Sequence, residues 1–240
     1  MIEVTAIRKT FNHSKVLDNI SFRLDQGKVL GILGPNGSGK TTLLKILALV
    51  LKPDQGSYKI LGDDAFRATN KYQSMIGYVP QDVALFDELS VMDNLVYWSR
   101  PGDEHPKEKY EHLLEIFELK DYERKKVYIL SGGMKRRLNM AVALINTPQI
   151  LIMDEPMVGV DILQLKHLQG YLRDLANSGI TQIITSHNAN AVINIIDQVL
   201  LIYEGRMRYF QEKAEFLALC DHNFGHLDDT ILKLIYSKGE

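Results

Sequence analysis

Gly34-Pro35-Asn36-Gly37-Ser38-Gly39-Lys40-Thr41-Thr42 is the stretch on which the fold turns. An apolar run, Val29-Leu30-Gly31-Ile32-Leu33, precedes it, and a second, Leu43 to Leu49 with Lys45 inside it, follows. Strand, glycine-rich turn and helix is the context in which G-x-x-x-x-G-K-[ST] forms a phosphate cradle. Glycines let backbone N–H groups converge on an anion without side-chain collision. The following helix adds its positive N-terminal end, and Lys40 adds a full charge within reach of β- and γ-phosphates. Thr41 offers a hydroxyl to Mg²⁺. The spacing predicts a nucleoside triphosphate site and leaves the kind of NTPase to the rest of the chain.

Composition narrows the classes. The 240 residues suit one large α/β domain or one domain with a sizeable insertion. Apolar content of 45% and charged content of 24% are those of a globular protein, and a formal charge of −2 gives no support for a nucleic-acid surface. Short basic clusters such as Arg124-Lys125-Lys126 read as solvated surface. A single cysteine, Cys220, excludes an internal disulfide and fits a reducing compartment. Cys220, His222 and His226 lie close together, but Gly225 interrupts a helical i, i+4 arrangement and no fourth ligand is evident, so no metal site is expected there. Met1 to Thr5 lack the apolar core of a signal peptide, and no apolar run approaches a membrane span. Any membrane role is expected to be borrowed from a partner.

Taken in order, residues 2–33 read as short strands: Ile2–Val4, Ile20–Leu24 and the run ending at Leu33. Phe11 stands outside any apolar run, either a minor core anchor or a flat face for a nucleobase. Ser57–Gly62 and Met75–Val79 read as strands, the second stopped by Pro80, with Gln81 where the strand hands over to a loop. Leu85 and Phe86 are apolar in what should be a surface segment. Ser90 caps a predicted helix from Val91 to Trp98, with Asp93 as its capping-box partner. Residues 99–108 carry Pro101, Gly102 and Pro106 and read as a loop, and His112–Leu119 has helical periodicity. From about 82 to 147 the signals are helical, as in a subdomain inserted into an α/β core.

Ser131 is a good N-cap for a helix that opens with Gly132-Gly133, whose first-turn N–H groups stay uncovered. Lys135 and Arg136 sit in that first turn, where the helix dipole disfavours cations. A bound anion would resolve the conflict; the alternative is an exposed helix with poorly placed charge. Ile150-Leu151-Ile152-Met153-Asp154-Glu155 is an apolar strand ending in two acids, at the strand end where ligands sit in open α/β sheets. Asp154 suits Mg²⁺, and Glu155 suits orienting or deprotonating water. Residues 161–177 read as an amphipathic helix ended by Asn177-Ser178-Gly179, and Ile180–Thr185 as a strand. Ser186-His187 follows, at the same sheet edge as Lys40 and Asp154, which favours phosphate contact over a structural histidine. Val199–Tyr203 and Met207–Phe210 read as a hairpin around Glu204-Gly205, with surface helices at 212–219 and 228–236.

These residues resemble the nucleotide-binding subunits of ATP-binding cassette (ABC) transporters over essentially the whole chain. Gly34–Thr42 is similar to the Walker A, Gln81 to the Q-loop, and Leu130-Ser131-Gly132-Gly133 to the family signature. Ile150–Glu155 is similar to the Walker B with its glutamate, Val160-Asp161 to the D-loop, and His187 to the switch histidine. Phe11 falls where the family has its adenine-stacking aromatic. The resemblance implies an α/β P-loop fold: a RecA-like mixed sheet with an N-terminal antiparallel β subdomain and an inserted helical subdomain. It divides as 1–81 and 148–210 for the core, 82–147 for the helical part and 211–240 for C-terminal helices.

It further implies an ATPase using Mg²⁺, held by Thr41, Gln81 and Asp154, with Lys40 on the phosphates, Glu155 polarising water and His187 at the γ-phosphate. Two subunits would close head to tail, each P-loop meeting the other's Ser131, Gly132 and Gly133, with Asp161 of the D-loop also among the nucleotide-binding residues. A separate membrane-spanning chain would dock near Gln81, Leu85 and Phe86. Met134-Lys135-Arg136-Arg137 looks like the branch of stand-alone ATPases that pair with ABC-2-type exporters, and importer subunits more often lack this variant. Met157, Ile162 and Asn188-Ala189-Asn190-Ala191 depart from the usual pattern without removing a group the chemistry needs. The competing expectation is a soluble ATPase of this type driving an assembly or repair complex. Length excludes a two-cassette chain, the lack of a heptad insertion excludes coiled-coil repair ATPases, and nothing like a guanine-reading motif appears.

Overall fold

The computed structural model describes residues 1–101, 106–220 and 227–236, with the side chains of 106, 162 and 163 left aside. The elements run β1 (Ile2–Phe11), β2 (Ser14–Leu24), β3 (Val29–Leu33), α1 (Lys40–Leu47), β4 (Gln55–Ile60), β5 (Asp63–Asp64), α2 (Thr69–Gln73) and β6 (Ile76–Val79). They continue with α3 (Val91–Trp98), α4 (Pro106–Ile116), α5 (Gly132–Leu144), β7 (Ile150–Asp154), α6 (Ile162–Asn177) and β8 (Thr181–Ser186), and end with β9 (Gln198–Tyr203), β10 (Arg206–Glu212), α7 (Lys213–Leu219) and α8 (Leu227–Tyr236).

Two sheets form. The larger has the order β10-β9-β3-β8-β7-β6 and is parallel except for its edge strand β10. The smaller, β2-β1-β4-β5, is antiparallel. Strands β3, β7 and β8 are buried at every residue, as parallel strands covered on both faces must be. Their alternation sorts them into two cores. Leu30, Ile32, Ile150, Ile152 and Ile183 pack with Leu43, Leu44, Ile46 and Leu47 of α1 and with the antiparallel sheet. Val29, Leu33, Leu151, Met153 and Ile184 pack against the helices of the other face, with Leu95, Leu138, Leu172 and Phe216 among them. Each such fully buried aliphatic side chain contributes about 1.5–3 kcal/mol relative to exposure.

The N-terminal strands are long rather than short. β1 and β2 form a ten- and eleven-residue hairpin whose turn, Asn12-His13, has φ of 46° and 66°. Further left-handed residues, Ala6 and Asn19, accompany breaks in register. One polar face and these irregularities hide the period-2 signal from the sequence. Between β6 and β7 the described residues hold α3, α4, α5 and two short 3-10 turns, with one isolated bridge, Ser90 to Lys126, as their only β pairing. The Ser90–Asp93 capping box forms as expected. α4 begins at Pro106, earlier than the expected His112 and inside the expected loop, because proline in a first turn has no helical N–H to lose. It ends at Ile116, before Glu118 with φ 52°. Of the expected loop, Gly102 lies outside the described residues.

The β9–β10 hairpin turns through Glu204 and Gly205, both at positive φ, as a tight turn between twisted strands requires. α7 and α8 follow; each buries one face, through Phe216 and Ile235. Cys220 is buried and directs its thiol to the Phe216 carbonyl. His222, Gly225 and His226 lie outside the described residues.

Candidate nucleotide site

The parallel register brings the sequence-distant groups to one sheet edge. Leu33 pairs with Ser186, and Asp154 pairs with Thr185, so the residues after β3, β7 and β8 emerge side by side. Gly34 opens the loop after β3; a Cβ there would sit 2.2 Å from the Ile202 carbonyl oxygen. At Gly39, with φ 106°, a Cβ would lie 2.8 Å from the Val16 carbonyl oxygen. The turn between β9 and β10 holds the loop from behind, with Gly205 N–H donating to the Ser38 carbonyl at 3.0 Å. The N-cap of α1 is Gly39, without a side-chain cap, and its first turn has no acid. That helix end therefore presents free N–H groups and its positive dipole to an anion.

Lys40 is 6% exposed and donates to the carbonyls of Gly34 at 2.7 Å and Pro35 at 3.0 Å. Burial pushes its ammonium pKa down, while the nearby charges of Glu155 and Asp154 push it back up. Glu155 lies with Oε1 3.9 Å from Lys40 Nζ and Oε2 2.6 Å from His187 Nδ1. Asp154 accepts from the Thr185 hydroxyl at 2.6 Å, and its other carboxylate oxygen, Oδ2, is buried without a hydrogen-bond partner among the described residues. Ser38 Oγ is in the same condition. Hard oxygen donors with a spare buried oxygen, beside a phosphate cradle, fit Mg²⁺. Burial, with the negative charge of Asp154, pushes the Tyr78 hydroxyl up to about 12.

A cleft of about 270 Å³ is lined by Val16, Asn36, Gly37, Gly39, Lys40, Thr41, Thr42, Gln81 and Glu155. Gly34, Pro35 and His187 border a neighbouring cavity of about 260 Å³ beneath α8. The remaining candidates lie apart from the cleft lining. Phe11 is 44% exposed with Lys9 Nζ 5.3 Å above its ring, which removes the core-anchor reading. Ser131 caps α5 by accepting from Met134 N–H, and Gly132 and Gly133 are open, with only Gly159, among the described residues, near a Cβ at Gly133. Asp161 accepts from Gln164 N–H at the start of α6.

Two expectations need correction. The first-turn cations of α5 do not require an outside anion, because Lys135 pairs with Asp87 at 2.7 Å and Arg136 donates to the Glu155 carbonyl at 3.0 Å. Arg137 pairs with Glu118 at 2.6 Å. Leu85 is half-buried against the helical-face core rather than exposed, while Phe86 remains 40% exposed. Buried Asn94 exchanges hydrogen bonds with the Phe86 backbone, and Asn139 accepts from Ala84 N–H, which turns Leu85 inward.

Thr185 and Val16 escaped the sequence reading. Thr185 carried a signal, a polar residue late in a buried strand, for it holds both Asp154 and the Glu155 N–H. Val16 carried none, since it lines the cleft only through the packing of β2 on the loop.

Against known proteins, the family described as ABC transporter matches residues 17–158. The linearmycin resistance ATP-binding protein LnrL of Bacillus subtilis is 34% identical over 240 residues, covering 99% of this chain and 75% of that protein. The Nod factor export ATP-binding protein I of Sinorhizobium fredii is 35% identical over 208 residues, covering 85% of this chain and 61% of that one. Among solved structures, a post-hydrolysis dimer of the ATP-binding cassette MJ0796 with ADP and Pi superposes with a TM-score of 0.82 at 24% identity, covering 89% of this chain and 99% of that one. A phosphate loop, an acid pair and a histidine at one sheet edge, on this fold and within this family, lead to one statement: the chain belongs to the ABC transporter family and is an ATP-binding, ATP-hydrolysing cassette.

Proposed function

We propose that this cassette is the ATPase subunit of an exporter whose membrane-spanning part is a separate chain, and that two cassettes close on shared ATP. The observation that carries the reading is the division of the site. The cleft gathers the phosphate loop, Gln81 and Glu155, whereas Ser131, Gly132 and Gly133 form an uncovered helix end outside its lining. An N-terminal helix end with room around its glycines suits the triphosphate held by a second subunit, with Asp161 nearby along the chain from Gly159. In this reading Phe11 stacks on the adenine and Lys40 and the N–H groups of α1 hold the phosphates. Thr41, Gln81 and Asp154 hold Mg²⁺, which neutralises charge on the phosphate oxygens. Glu155 takes or orients the proton of the attacking water, a role worth about 10²–10⁴-fold, and His187 meets the γ-phosphate. Positioning and fixed charge supply the remainder.

A groove of about 570 Å³ beside Gln81 supports docking of the membrane chain. Tyr78, Pro80, Ala84, Trp98 and Asn139 line part of it, and Trp98 stacks with exposed Phe86 at 6.0 Å. No helix among the described residues is long and apolar enough to cross a membrane, and the reading assigns the spanning segments, and peripheral attachment, to the partner. The relatives named for drug resistance and for Nod factor export support the outward direction.

Purification from detergent-solubilised membranes tests this. The cassette should bring down a multi-span chain, and Trp98→Glu should lose that chain while keeping basal ATP hydrolysis. Recovery with soluble partners alone would favour an assembly ATPase and overturn the transport reading.

A further inference from the structure

Glu155 sits in a conformation its sequence opposes. It precedes Pro156, and the residue before proline is pushed toward extended backbone with negative φ. Yet Glu155 has φ 54°, the left-handed region that β-carbon sterics disfavour. Such strain persists only where surrounding contacts over-determine it. Those contacts are on both sides of the residue. Its N–H donates to Thr185 Oγ1 at 2.9 Å, and its carbonyl accepts from Arg136 Nη1 at 3.0 Å and from Val158 N–H at 3.3 Å. In this conformation the carboxylate lies 2.6 Å from His187 Nδ1 and 3.9 Å from Lys40 Nζ.

We infer that Arg136 is a positioning residue for Glu155. It is the third residue of the turn that follows Ser131-Gly132-Gly133, and its guanidinium crosses from α5 to the end of β7. A charged donor on a carbonyl makes a short, directional bond, and it holds the strained peptide against relaxation toward the extended region. Loss of that bond leaves the carbonyl with only the longer Val158 N–H contact, loosens the Glu155 backbone and the aim of its carboxylate, and slows the water-activation step while the phosphate grip is untouched. The same contact ties the helix end offered to a partner's nucleotide to this subunit's own glutamate. The inference rests on Glu155 as the group that activates water.

The test compares Arg136→Met, which keeps the apolar stem without the donor, with Arg136→Lys, which keeps one donor, and with Glu155→Gln. Arg136→Met should lower kcat roughly tenfold, the size expected for one charged hydrogen bond acting at the reacting geometry. KM for ATP and the affinity for a fluorescent ATP analogue should stay within about twofold, and the melting temperature within about 2 °C. Arg136→Lys should recover most of the rate. Wild-type kcat in Arg136→Met beside an inactive Glu155→Gln would overturn the inference. So would kcat and melting temperature falling together, with the lysine variant no better than the methionine one. An active Glu155→Gln would instead overturn the assignment of Glu155 itself.

Discussion

Thr185, Arg136, His187 and Lys40 each touch a different part of Glu155: its N–H, its carbonyl and its two carboxylate oxygens. The side chain is thereby aimed into the cleft before any substrate arrives. Replacing it by glutamine keeps the shape and removes the base. Glu155→Gln should bind ATP with unchanged affinity and lose at least about 100-fold in turnover. Size-exclusion chromatography with ATP should then show a dimer, and a monomer alone would count against closure on shared nucleotide. A second residue-scale effect lies away from the cleft. Tyr58 is fully buried, and its hydroxyl has no hydrogen-bond partner among the described residues. Burial pushes its pKa above the ordinary value, as it does for Tyr78. A raised folded-state pKa means that the contribution to stability is complete below the unfolded value near 10 and is lost as pH rises through the folded value. Unfolding free energy should therefore fall between about pH 10 and 12, the window set by Tyr78 at about 12. Tyr58→Phe removes an unpaired hydroxyl, so it should raise stability at pH 7 by about 1 kcal/mol and flatten the alkaline fall, read by urea unfolding at each pH.

At the scale of elements, the start of α5 separates two kinds of glycine. Gly34 and Gly39 are demanded by the fold, because a Cβ would collide with backbone oxygens of Ile202 and Val16. Among the described residues, nothing lies within 4 Å of a Cβ at Gly132, and a Cβ at Gly133 meets only the Gly159 oxygen at 3.8 Å. The chain itself has no need of glycine at either place, and alanine is favoured over glycine in a helix by up to about 1 kcal/mol. Gly132→Ala and Gly133→Ala should keep or slightly raise the melting temperature while depressing ATP turnover and ATP-driven dimerisation. Turnover at the wild-type level in both would show that nothing approaches this helix end. Elements also differ in how far the sequence disclosed them. The Ser90–Asp93 capping box and the end of α6 at Asn177, followed by Gly179 at positive φ, were legible, since both are written in adjacent residues. The length of the β1–β2 hairpin was not, because its outer face is polar and its register breaks near Ala6 and Asn19.

Over the whole molecule, the parallel sheet separates two cores and gathers its chemistry at one edge. The cleft there contains Lys40 at a cost: a buried ammonium with depressed pKa, held on the loop's own carbonyls. A triphosphate offers that ammonium and the α1 N–H groups stronger partners, so binding should stabilise the entire fold. Mg²⁺-ATP at about 100 times Kd should add roughly 2.7 kcal/mol, a rise of several degrees in melting temperature. Lys40→Ala should abolish that rise in differential scanning fluorimetry, and an undiminished rise would refute the phosphate-loop assignment.

The sequence by itself determined what neighbouring residues can encode. The phosphate-binding pattern from Gly34 to Thr42 is written in its own residues, although Gly34 and Gly39 also admit the backbones of Ile202 and Val16. The acids at 154 and 155 need only a strand to end there, and Ser131 needs only the three residues after it to cap a helix. The tertiary structure alone decided which distant groups meet. Pairing of Asp154 with Thr185 and of Leu33 with Ser186 brings Glu155, His187 and Lys40 together across more than a hundred residues of chain. Packing turned Leu85 inward, left Phe11 exposed, and gave Lys135 and Arg136 partners inside the chain, where the local dipole argument offered only an external anion or poorly placed charge. Local hydrogen bonding and steric limits act over a few residues and are written in order along the chain. Strand register and core packing act over the whole of it, and no short stretch carries them.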